Sequence, residues 1–139
     1  MNKVSTYQKT IFVKQADIDE FDHVNIIVYI QEVQDIAKEH WQICASQGIM
    51  DQYKWVAVNH NITYKRQLKI HQKAVIKTQV FDNVKCALWG HMVWIYIESK
   101  VLIVEAKTQW CLVDTQSFKP MRITDEIKSV FFSLWIKML

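Results

Sequence analysis

The chain has 139 residues, half of them hydrophobic, with 2 Gly and 1 Pro, enough for one domain (residues 1–139) with a real core and no long linker. Its formal net charge of +3, carried by scattered rather than clustered Lys and Arg, suits an anionic small molecule and argues against nucleic acid. Cys44, Cys86 and Cys111 are odd in number and widely spaced in apolar contexts, so they read as buried free thiols in a reducing compartment, with neither a disulfide framework nor zinc spacing.

In chain order, Tyr7 to Gln15 alternates as a strand, with Ile11 and Val13 on one face and Phe12 on the other. An acidic turn follows (Asp17, Asp19, Glu20, Asp22) and ends at His23 and Asn25. Apolar residues then fall at Ile26, Tyr29, Ile30, Val33, Ile36, Ala37 and Cys44, the spacing of a long amphipathic helix. Asp22 or Asn25 is its expected N-cap, and Gly48 its C-terminal stop. Ile49 to Lys54 reads as a loop, and Trp55 to Lys65 as a strand with Val56, Val58, His60, Ile62 and Tyr64 on one face. Three more strands are expected at Lys73–Phe81, Ala87–Glu98 and Val101–Asp114. Turns separate them at Gln67–Gln72, Asp82-Asn83 and Ser99-Lys100, and Thr124 caps a short helix. The order predicts an α+β fold, one five-stranded antiparallel sheet packed on one dominant helix. No run approaches eighteen apolar residues and MNKVSTYQK lacks an apolar signal region, so a cytoplasmic protein without a membrane role is expected.

The chemistry is expected where the turn meets the long helix. Asp17 and Asp19 there would cap the helix and offset its dipole, at about 0.3–1 kcal/mol each. They also stand beside helix N-terminal amides, which suit a developing oxyanion; a carboxylate at that place can attack a carbonyl carbon or activate water. His60 and His91 read as core histidines, and Asn59 and Asn61 as sheet-surface residues. The sequence has no Gly-rich phosphate loop, His-Glu-x-x-His pair or Gly-x-Ser-x-Gly elbow, so neither metal, cofactor nor serine nucleophile is expected.

The run Asp17-x-Asp19-x-x-x-His23-x-Asn25-x-x-x-Tyr29 before a long helix resembles the signature of hotdog-fold acyl-CoA thioesterases. Within that group it is similar to the 4-hydroxybenzoyl-CoA thioesterase type and its long-chain acyl-CoA and acyl-carrier-protein cousins. Tyr64-Lys65-Arg66 and Lys119-Pro120-Met121-Arg122-Ile123 extend the resemblance over about Ile11 to Phe131. It implies a sheet wrapped around a central helix, with Asp19 as catalytic carboxylate, assisted by His23, and Asp17 shaping the turn. It also implies an oxyanion donor among the backbone amides near Asn25 and Ile26. Asn25, Ile26 and Tyr29 would contact the substrate, and Lys65 and Arg66 the CoA phosphates, although a solvated strand end explains that pair equally well. The partner implied is a small-molecule acyl-CoA, and the assembly a homodimer or dimer of dimers with the site between subunits. Three departures stand out: Asp22 where many relatives have Gly, Ile26 for a second Asn, and Gln67 for Pro, with Ile70-His71 where Gly-Asp is common. Two other readings stay open, a non-catalytic domain that holds acyl-CoA or acyl-carrier protein and an enoyl-thioester hydratase.

The C-terminal VFFSLWIKML (130–139) is intensely apolar yet too short to span a bilayer, which takes about 20 residues. It is expected to dock on a subunit interface or over the open side of its own sheet.

Overall fold

The computed structural model describes residues 5–81, 83–98 and 100–132. Strand β1 (Thr6–Phe12) leads through the acidic turn into helix α1 (Ile26–Cys44), and a short α2 (Gln47–Gln52) follows. Strands β2 (Tyr53–Tyr64), β3 (Lys73–Val80), β4 (Leu88–Ile97) and β5 (Leu102–Asp114) come next, and α3 (Asp125–Phe132) ends the described chain. The five strands form one antiparallel sheet in the order β1-β3-β4-β5-β2, as the element order predicts. Asp82 and Ser99 of the expected turns, and the tail beyond Phe132, lie outside the described residues.

α1 packs against one face of the sheet, where its apolar stripe is buried. Tyr29, Val33, Ile36, Ala37, His40 and Trp41 are all buried on one face, as the three-and-four spacing requires. Strand β3 alternates, turning Ala74, Ile76, Thr78 and Val80 inward. The central strand β4 is buried on both faces from Trp89 to Val93. Two apolar clusters result. Tyr29, Val33 and Ile36 pack with Ile76, Val93 and Val104 under the first half of α1. Trp41 packs with Trp89, Leu112, Ile127 and Phe131 near its far end.

Four expectations are corrected. β1 stops at Phe12, after which the Val13 amide donates to the Gln72 carbonyl (3.0 Å). α1 ends at Cys44 rather than near Gly48, which instead sits inside α2, where a loop was expected; Ser46 caps that helix by accepting from the Ile49 amide (3.2 Å). In β2 the register shifts between Ala57 and Asn59, a bulge that reverses the face. Val56 and Val58 are therefore exposed, whereas His60 and Ile62 beyond the bulge are half-buried. Finally, Cys86 is exposed at φ 55, while Cys44 and Cys111 are half-buried; all three are free thiols.

Among the described residues no helix is long and apolar enough to cross a membrane.

Candidate active site

The turn before α1 is held by its own two acids. Asp17 uses its carboxylate to accept from the Lys14 amide (2.9 Å), and its carbonyl accepts from the Asn25 amide (2.8 Å). It shapes the turn, as expected. Asp19 accepts from the Phe21 and His23 amides through Oδ1 (2.9 and 3.1 Å), and its own amide donates to the His23 carbonyl (2.7 Å). These bonds fix the Asp19 carboxylate at the mouth of the turn and engage one oxygen, with Oδ2 taking no hydrogen bond from the described residues. A bridge between Ile18 and Val24 closes the loop below it.

Asp22 adopts φ 61, a left-handed conformation that favours glycine. This gives the departure at that position its physical content. The backbone geometry is the one a Gly would take, and Asp is among the few other residues that tolerate it.

Asn25 is the N-cap of α1, its Oδ1 accepting from the Ile27 amide (3.0 Å). Its own amide is already engaged by Asp17, and the Val28 amide donates to the Asn25 carbonyl (2.9 Å). Of the two amides expected to stabilise an oxyanion, Ile26 N–H is thus the one left open, at the positive end of a 19-residue helix. The side chains of His23, Asn25 and Ile26 are exposed around it, Ile26 at 56%.

Tyr29 is placed differently from the expected substrate contact. It is 2% exposed, and its hydroxyl accepts from the Leu68 amide (3.2 Å) while its ring meets Tyr64 at 5.4 Å. Burial raises its pKa, so the phenol stays protonated at neutral pH. The bond and the ring contact pin the segment after β2 against the first turns of α1. That segment carries Lys65 and Arg66, whose amides both donate to the Ile103 carbonyl (2.8 and 3.3 Å) and whose side chains are exposed. The two cations are therefore held on the same end of the molecule as the helix N-terminus, by a tyrosine pair that sequence spacing does not reveal.

His60 is hydrogen-bonded, as expected of a structural histidine, but half-buried rather than in the core. The Gln34 amide donates to its Nε2 (3.1 Å), so its Nδ1–H donates to the Thr108 hydroxyl (2.9 Å), and burial lowers its pKa. His91 is buried, and its pKa is pushed down to about 3 by desolvation, with His40 nearby adding to the shift. Among the described residues no three His, Cys, Asp or Glu side chains converge as a metal site.

Comparison with known proteins bears on both fold and family. The chain superposes on Slr0204, a 1,4-dihydroxy-2-naphthoyl-CoA thioesterase from Synechocystis, with TM-score 0.77 at 14% identity, covering 91% of this chain and 96% of that one. It superposes on a DHNA-CoA thioesterase from Staphylococcus aureus with TM-score 0.74 at 17% identity, covering 95% and 87%. A third similar structure, SAV2348 from Staphylococcus aureus in complex with CoA, gives TM-score 0.80 at 12% identity over 96% and 85%. These likenesses establish the hotdog fold. No curated protein matches by sequence. The sequence model of the acyl-ACP thioesterase N-terminal domain matches residues 4–131, which takes in the acidic turn, α1 and every strand. That span names a group already among the cousins of the resemblance, rather than its 4-hydroxybenzoyl-CoA type: the chain belongs to the acyl-ACP thioesterase N-terminal domain family.

Proposed function

We propose that the protein hydrolyses an acyl thioester, of CoA or of acyl-carrier protein, to the free acid and the thiol. The observation that carries this reading is that the turn leading into α1 leaves two groups open, one oxygen of the Asp19 carboxylate and the Ile26 amide that begins the helix. Asp19 takes a proton from water as the water oxygen attacks the thioester carbonyl carbon, or attacks that carbon itself. The carbonyl oxygen gains the negative charge and is stabilised by Ile26 N–H and the helix dipole. Collapse expels the thiolate, which takes up a proton; in the direct route water then hydrolyses the mixed anhydride on Asp19. His23, whose amide bonds the carboxylate and whose side chain is exposed, is the group we assign to proton transfer with the leaving thiol. Asn25 and Ile26 border the reacting carbonyl, and Lys65 and Arg66 receive phosphates of the CoA or carrier arm. The CoA held by SAV2348 supports a ligand of that kind. Tyr29 serves by holding the Lys65–Leu68 segment in place.

The site is proposed to lie between two subunits. Phe21, Ile26 and Ile27 are 71%, 56% and 68% exposed around the helix N-terminus, an apolar surround that a second copy would cover. The reducing, cytoplasmic setting is carried over from the sequence as part of the same proposal.

Asp19→Asn tests the reading, because Asn keeps the oxygen that accepts from Phe21 and His23 and removes only the charge. The rate of thiol release from acyl-CoA substrates should fall at least about a hundredfold, with an unchanged melting temperature. Equal rates would remove the mechanism. A protein that binds acyl-CoA without releasing thiol would be a carrier domain, and loss of enoyl absorbance without thiol release would make it a hydratase.

A further inference from the structure

Side chains alternate along the strands, so the sheet has two faces, and α1 takes only one of them. On β4, the middle strand of the five, Val93 and Ile95 point into the core beneath α1. Met92, Trp94 and Tyr96 therefore point the other way. On β3, Ala74, Ile76 and Thr78 are buried, and Val75 and Lys77 face away from α1. On β5, Val104 and Ala106 are buried, and Glu105 and Lys107 face away. Leu102 stands opposite Tyr96 on the same face. Val75, Trp94, Tyr96 and Leu102 are all half-buried, and none of them belongs to either core cluster. Four large apolar side chains thus lie on three adjacent strands outside the core.

The strand register sets charge on this face in a pattern. Lys77, Trp94 and Glu105 are direct cross-strand partners and form one row, with the tryptophan between the two charges. The charged residues stand two strands apart, roughly 10 Å. Neither side chain makes an ion pair or hydrogen bond with the described residues. Lys73, by contrast, is bridged to Glu98 (3.3 Å), and Lys107 lies over the Phe81 ring at 5.9 Å. A row that reads cation, aromatic, anion is complementary to itself about a two-fold axis running along β4 through Trp94. That axis exchanges β3 with β5, setting Lys77 of each copy against Glu105 of the other and Trp94 on Trp94. The same operation sets Gln79 against Lys107, Val75 against Leu102 and Tyr96 on Tyr96. Further out it brings Gln8 of β1 to Thr63 of β2. No like charges meet in these rows, and sheets stack face to face with their strands nearly aligned. A partner of one sign, acidic or basic, would instead oppose one of the two charges beside Trp94.

We propose that the face of the sheet away from α1 is an interface with a second copy of this chain, separate from the one proposed around Phe21, Ile26 and Ile27. It uses no part of the thioesterase reading and is tested without activity. Sedimentation equilibrium of the full chain reads it by exchanging charges. Lys77→Glu puts a carboxylate against Glu105 at two places, and Glu105→Lys puts a second cation against Lys77. Each single variant should have half the mass of the wild type. The double variant restores opposite charges in exchanged order and should return to the wild-type mass. Should a single variant fail to fold, the wild type itself gives the reading. ¹⁴N and ¹⁵N protein are mixed in equal amounts, left to exchange subunits and coupled with a carbodiimide. Mass spectrometry should then find Lys77 of one isotope joined to Glu105 of the other. Equal masses for wild type and single variants would leave this face to the last seven residues of the chain or to water, and would overturn the proposal. A double variant that stays at half the mass, or Lys77–Glu105 links confined to chains of one isotope, would overturn it as well.

Discussion

Asp17 is tied into the turn by both its carboxylate and its carbonyl, whereas Asp19 keeps one carboxylate oxygen open. Spacing alone gives two acids before a helix and no means of choosing between them. The choice depends on which amides each one accepts, and that is set by the chain path from Lys14 to Asn25. The family resemblance pointed to Asp19, and the mechanism proposed above rests on the oxygen that Asp19 keeps open. His91 carries a prediction at this scale. Its pKa in the folded protein is about 3, against the ordinary 6.5, so the unfolded chain takes up its proton first as the pH falls. Its contribution to stability is complete above about pH 6.5 and declines through the window down to about 3. His91→Gln removes this dependence. Between pH 7 and pH 4.5 the urea midpoint of the wild type should drop further than that of the variant; equal drops would show that His91 is charged in the fold.

At the scale of elements, the long helix, the strand count and the antiparallel sheet were all legible, because apolar periodicity reports directly which face is buried. What was not legible were the places where the period breaks without a breaker residue. The bulge in β2 falls at Ala57–Asn59, in a strand with no Gly or Pro, and reverses the side-chain face in silence. The end of α1 at Cys44 is likewise unmarked, since Gly48 looks like the stop and Ser46, the cap of the next helix, is the truer signal. The candidate site was legible as a motif but not as an assembly. The contact that brings Lys65 and Arg66 to the helix end is Tyr29 meeting Tyr64 and Leu68, residues 35 and 39 positions further on. Tyr29→Phe tests that link. It strands the buried Leu68 amide, at a cost of about 1–3 kcal/mol in urea unfolding. If Lys65 and Arg66 hold CoA, it should also raise KM for acyl-CoA more than it lowers kcat. A KM unchanged at full stability would mean that the segment needs no such anchor.

For the molecule as a whole, metal independence follows from the proposed mechanism, in which protein groups supply both the attacking base and the oxyanion donor. Thiol release should therefore persist in EDTA, and loss on chelation with recovery on adding a divalent ion would replace this mechanism with another. The C-terminal segment raises the larger question of what it covers. The sequence alone suggests removing everything after Ser129 as one apolar tail. The structure divides that tail in two. Val130, Phe131 and Phe132 are buried within α3, with Phe131 against His40, Trp41, Trp89 and His91, so they belong to the core. Residues 133–139 lie outside the described chain. A protein ending at Ser129 loses three large buried side chains at about 1.5–3 kcal/mol each, a total of about 5 kcal/mol or more, comparable to the whole stability of many domains. It should be insoluble or unfolded. A protein ending at Phe132 keeps the core and isolates the role proposed for the final seven residues, docking on a subunit interface or over the sheet. Light scattering should then show a lower mass, or increased aggregation where the apolar surface is uncovered, at a melting temperature close to that of the full chain for the remaining fold. If the chain ending at Phe132 keeps the mass, solubility and melting temperature of the full protein, the last seven residues cover nothing. The apolar demand of the segment would then be met entirely by the three residues already in the core.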